Sequence, residues 1–122
     1  MKLRFRQNSL RLRVNRREVD TLASGQAIRE VVRFPNRARF TYVFESFGNG
    51  EPQASFEDGE MRVAAPLSDI QNWARSEAIG LYFDFQAECM TLSVAIEKDL
   101  ECLDGPPEEQ DPDAFPREDG GC

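Results

Sequence analysis

Residues 2–14, KLRFRQNSLRLRV, alternate side chains with a period of two on either side of Gln7, Asn8 and Ser9, which favour turns. That pattern predicts a β-hairpin made of Lys2–Arg6 and Leu10–Val14. Leu3, Phe5, Leu10, Leu12 and Val14 are expected on its core face. Lys2, Arg4, Arg6, Arg11 and Arg13 are expected together on the opposite face. Outward from the hairpin, Asn15 followed by Glu18 has the spacing of a capping box, so a short helix is expected to start there. Val19, Leu22 and Ala23 give that helix one apolar face, and Gly25 supplies a left-handed stop. Ala27–Phe34 and Ala38–Ser46 then read as a second strand pair around Pro35 and Asn36.

The same order returns further along the chain, residues 3–45 matching 54–97 in apolar phase. At an offset of 51, Phe5 falls on Phe56, Leu10 on Met61, Arg11 on Arg62, Leu22 on Trp73 and Ile28 on Ile79. A slip of one residue in the following turn then aligns Phe40 with Leu92, Tyr42 with Val94, Phe44 with Ile96 and Glu45 with Glu97. In this second unit, Gln53–Glu57 and Met61–Ala65 form a hairpin around Asp58 and Gly59. Pro66 opens a helix, with Ser68 as an alternative cap, and Ala78–Phe85 and Thr91–Glu97 close the unit. The fold class expected is α+β and mostly β. A pseudo-twofold pair of ββαββ units, about eight strands and two short helices, closes one small barrel or sandwich over residues 1–103, followed by an acidic tail, 104–122.

Composition narrows the chemistry. The 122 residues contain no histidine, which removes imidazole acid–base catalysis and histidine-bearing zinc sites from this chain. Cys89, Cys102 and Cys122 have no CxxC spacing and read as reduced thiols in a cytoplasmic protein, and no apolar run has the length of a membrane span. No metal site, cofactor or catalytic residue is expected. Charge is split: residues 1–46 hold eleven Lys and Arg against four acids, net +7, and the remainder holds four against eighteen, net −14. The run from Asp104 onward, DGPPEEQDPDAFPREDGGC, is too polar to form a core, and Phe115 is its one candidate anchor for docking.

Five cationic side chains on one hairpin face repel each other, so an anion is expected beside them. The tail's own Glu108, Glu109, Asp111 and Asp113, a protein partner or a second subunit in a homodimer can supply it. Nucleic acid is disfavoured by the net charge of −7, although a local patch can still bind phosphate. An enzyme or carrier for a small anionic ligand held by Arg4, Arg6, Arg11 and Arg13 is a third reading. Trp73, Tyr82, Phe83 and Phe85 are expected to be core and cross-strand packing. The leading expectation is a protein-interaction or regulatory module rather than an enzyme.

Residues 61–83, MRVAAPLSDIQNWARSEAIGLYF, resemble the strand, proline, helix and strand segment of AbrB-like and MraZ-like swapped-hairpin transcription regulators. The resemblance implies DNA binding through a basic face of paired hairpins. The second unit carries Gln53, Ser55, Glu57, Glu60 and Arg62 where such a face would be. The whole chain is also similar to a small uncharacterised bacterial family, through MKLRFRQNSLRLR at 1–13, EVDTLASG at 18–25, EKDLECL at 97–103 and DAFP at 113–116. That likeness implies no activity.

Overall fold

The alternating residues at the start form the first hairpin of the computed structural model, which describes residues 1–100 together with Phe115. Strands β1 (Lys2–Arg6) and β2 (Ser9–Val14) pair antiparallel, with Arg4 opposite Arg11. Helix α1 (Arg16–Ala23) starts from the expected box: the Asn15 side chain accepts from the Glu18 amide and the Glu18 carboxylate from the Asn15 amide, both at 2.9 Å. Gly25 takes φ +93, the left-handed turn out of the helix. Strands β3 (Ile28–Arg33) and β4 (Arg39–Phe47) follow as a hairpin. The second half repeats the order as β5 (Gln53–Glu57), β6 (Glu60–Pro66), α2 (Leu67–Arg75), β7 (Gly80–Ala87) and β8 (Met90–Lys98). Pro66 holds the cap position of α2 with φ −58 and no side-chain bond, so the amides there are not capped by Ser68.

The strands assemble as two four-stranded sheets, β1-β2-β8-β7 and β3-β4-β6-β5, rather than as one closed barrel. Each sheet takes one hairpin from each half, joined by a parallel central ladder, β2 with β8 and β4 with β6. Exchanging the halves maps one sheet onto the other. Because the central ladders are parallel, all four hairpin turns lie at one end of the molecule. Both helices lie at the other, where β2 and β6 end.

The ladders also show where the halves fall out of step. Leu12 faces Ile96 and Val63 faces Phe44, so Phe44 and Ile96 are equivalent at an offset of 52, as the alternation implied. Ile28, however, pairs with Phe44, and Leu81 with Ile96. Leu81, not Ile79, therefore takes the place of Ile28. From Trp73 to Leu81 is eight positions along the chain where from Leu22 to Ile28 is six, and Ile79 is left half-exposed, while its carbonyl accepts from the Trp73 indole at 3.0 Å.

Leu12, Leu22, Phe44, Val63, Ile70 and Ile96 are completely buried and bring both sheets and both helices into one cluster. Each such side chain contributes roughly 1.5–3 kcal/mol of burial. Phe5 is a correction: although it shares a face with Leu3, it sits near the open hairpin end, is 59% exposed and meets Phe40 edge-on at 6.5 Å. Among the described residues no helix is long and apolar enough to cross a membrane. Apart from Phe115, the expected tail at 104–122 lies outside the described residues, with Cys102 and Cys122. Phe115 itself is 95% exposed, the opposite of what its role as an anchor requires.

Candidate functional site

The outer face of the sheet β1-β2-β8-β7 is a grid set by strand register. One row runs Lys2, Arg13, Glu97, Gly80; the next Arg4, Arg11, Ala95, Tyr82; the third Arg6, Ser9, Ser93, Asp84. Alternation thus gathers the five cations Lys2, Arg4, Arg6, Arg11 and Arg13 on one face, and the parallel ladder sets the polar side chains of β7 and β8 beside them. Ala95, the smallest side chain in the middle row, floors a groove of about 260 Å³ lined by Arg4, Arg6, Arg11, Tyr82, Asp84 and Ser93, among others.

Glu97 organises one wall. Arg11 Nε lies 3.1 Å and Arg13 Nε 3.8 Å from the same Oε1, and the Tyr82 hydroxyl donates to Oε2 at 2.8 Å. Tyr82 reaches it by lying over Gly80, where an added Cβ would stand 2.8 Å from the tyrosine oxygen and from Ile96 O. On the far wall Ser93 Oγ donates to Asp84 at 2.8 Å, and at the rim Lys2 pairs with Asp99 at 2.8 Å. Tyr82 is 61% exposed, so its ring belongs to this surface; the expectation of core packing holds for Trp73, which is buried. Phe83 and Phe85 are half-buried against the core, 6.4 Å apart.

The other sheet provides an internal comparison. Ladder equivalence puts Arg62 in the place of Arg11, Glu45 of Glu97, Glu60 of Ser9, Val43 of Ala95 and Arg29 of Tyr82. The arginine–glutamate pair recurs, Arg62 donating to Glu45 at 2.6 Å. Glu60 then adds a second carboxylate, 2.8 Å from Arg62 and 2.7 Å from Arg29. Hydrogen bonding first to Glu60 and then to Glu45 holds the Arg62 guanidinium well above its ordinary range. The bond from Arg62, with Arg29 nearby, draws the Glu60 carboxyl below its own. Beneath these stems Val43 is only 2% exposed on the outer face. One sheet is closed by its own ion pairs; the other keeps a cation-lined groove.

The alternation made the five cations legible. Tyr82, Asp84, Ser93, Glu97 and Ala95 were not assigned to this face, because their membership depends on β8 pairing with β2 of the other half. Their polar phase against Leu81, Phe83 and Phe85 was the available signal. Among the described residues no group of three or more Cys, Asp or Glu could hold a metal ion, and Cys89 is an exposed thiol.

Two hairpin-exchanging sheets and two short helices define a small, mostly β, α+β domain. The chain belongs to a family of unknown function, DUF7009, whose model matches residues 1–119. No curated protein and no solved structure matches it.

Proposed function

We propose that this is a binding module whose outer β1-β2-β8-β7 face receives an acidic protein segment. The observation that carries the reading is the contrast between the two sheets. At equivalent positions Glu60 and Val43 fill and neutralise one face, whereas Ser9 and Ala95 leave the other concave between arginines. Arginine forks suit carboxylates, and Arg11 and Arg13 already converge on one in Glu97. Residues 1–100 hold fourteen basic and fourteen acidic side chains, so the cationic face belongs to a domain without net charge. Such a domain exerts little long-range pull on phosphate chains. The acidic stretch 104–122 supplies the matching chemistry within this chain, and a partner's acidic segment competes with it.

Removal of residues 104–122 is expected to raise the salt concentration at which the protein leaves a heparin column. Unchanged elution would count against the reading. A nucleic-acid-binding regulator is the second reading, favoured by the pairing of a hairpin from each half in the sheet that carries the basic face. Salt-sensitive DNA or RNA binding by the shortened protein, lost on Arg4→Ser/Arg6→Ser, would favour it.

A further inference from the structure

The two ends of the molecule differ: both helices cover one, and the four hairpin turns form the other. At the tip of each turn stands a non-glycine residue with positive φ: Gln7 (52), Arg37 (72), Asp58 (51) and Glu88 (47). Two or three positions from each tip is an exposed apolar side chain, namely Phe5 (59% exposed), Phe34 (49%), Phe56 (61%) and Met90 (54%). Phe34 and Arg37 line one shallow hollow. Phe40 bridges the mouth between the sheets, meeting Phe5 at 6.5 Å and Phe56 at 5.9 Å. Tips and apolar side chains therefore share one end surface, the arrangement of an interaction site rimmed by charge.

Charge divides this end into two sides. Strand β1 lies over β3 and β4, since the Tyr42 hydroxyl donates to Met1 O at 3.2 Å and Phe5 meets Phe40. The first-half turns, 6–9 and 33–39, are thus neighbours, and the exchange of halves sets 57–60 and 87–90 together on the opposite side. Arginines are the only charged residues in the first two turns, and acids are the only ones in the other two. Arg37, Asp58 and Glu88 are exposed and form no ion pair among the described residues.

We infer that two copies of this chain associate end to end through their hairpin turns, about a twofold axis lying in the interface between the basic and the acidic side. Turning one copy over about that axis sets Arg37 against the partner's Asp58 and Glu88, and each partner repeats the contact. The apolar side chains of the two mouths meet between these charges and leave water. A surface that is its own complement closes as a pair instead of running on as a filament. A nucleic acid would meet the acids of the second-half turns, and an acidic peptide would match only one side. This surface is separate from the groove of the proposed function and does not depend on it.

The test is sedimentation equilibrium of the full chain over a range of concentrations, where a reversible monomer–dimer equilibrium is expected. Arg37→Glu should weaken the dimer by about tenfold, and so should Asp58→Lys/Glu88→Lys, because each makes both exposed charge contacts of the interface repulsive. An equimolar mixture of the two variants should regain the parent's association, since opposite charges face each other again. Phe5→Ser/Phe56→Ser should also weaken it, with the parent's circular dichroism as the check on folding; the charge variants alter only exposed turn residues and carry the test alone if that variant unfolds. Arg4→Ser, in the groove, should leave the equilibrium unchanged. A monomer at every concentration overturns the inference, as does a dimer indifferent to both charge variants or a mixture that recovers nothing. A dimer lost with Arg4→Ser but not with the tip variants would overturn it and move self-association to the groove.

Discussion

Single side chains do different work at equivalent places in the two sheets, and Glu60 is the sharpest case. Its carboxyl lies below the usual 4.5 because Arg62 hydrogen-bonds it and Arg29 stands near. A depressed folded value means that the stabilisation is present above the unfolded pKa and lost as pH falls through the folded one. Glu60→Gln is therefore expected to lower stability at pH 7 and to flatten the acid limb of a stability–pH curve, so that variant and parent converge below about pH 4.5. Urea midpoints across that range check it, and an unchanged acid limb would show that Glu60 is not engaged. Tyr42 gives a second titration. Burial, then the hydrogen bond that its hydroxyl donates to Glu30, pushes it up to about 12. Ultraviolet titration should show a late tyrosinate phase that Tyr42→Phe removes. Gly59 has φ +75, and an added Cβ would stand 2.8 Å from Arg39 O, a backbone atom that yields little. Gly59→Ala should cost more than about 1 kcal/mol by chemical denaturation.

At the level of strands and helices, local rules explain most boundaries. The β1 and β5 spans, the capping box before α1 and the glycine stop follow from alternation and cap chemistry. Asn15→Ala should lose about 1 kcal/mol of thermodynamic stability, since the Glu18 amide loses its side-chain acceptor. Long-range terms hid the remainder. Alternation assigns Phe5 to the core face, but not its depth, and the open hairpin end leaves it exposed. Ile79 had the right chemistry to match Ile28, yet the two additional residues between Trp73 and Leu81 pass the core position to Leu81. The five cations were readable from one hairpin. The groove was not, because its Tyr82, Asp84 and Ala95 come from strands some seventy residues away, brought in by a parallel ladder.

Across the whole molecule, each sheet is half made by each ββαββ unit, so neither unit has a complete sheet alone. A fragment of residues 1–49 should show little β-structure by circular dichroism and gain it on mixing with 50–122; independent folding of either fragment would contradict this. The same exchange sets the five cations against β8 and β7, and gives the molecule one closed face and one concave one. That asymmetry is the centre of the account, and heparin elution of three forms lacking residues 104–122 tests it most directly: the parent, Arg4→Ser/Arg6→Ser, and Arg29→Ser/Arg62→Ser. The expected result is a clear drop in eluting salt for the first pair and little change for the second. Equal drops, or a larger drop for Arg29→Ser/Arg62→Ser, would contradict it.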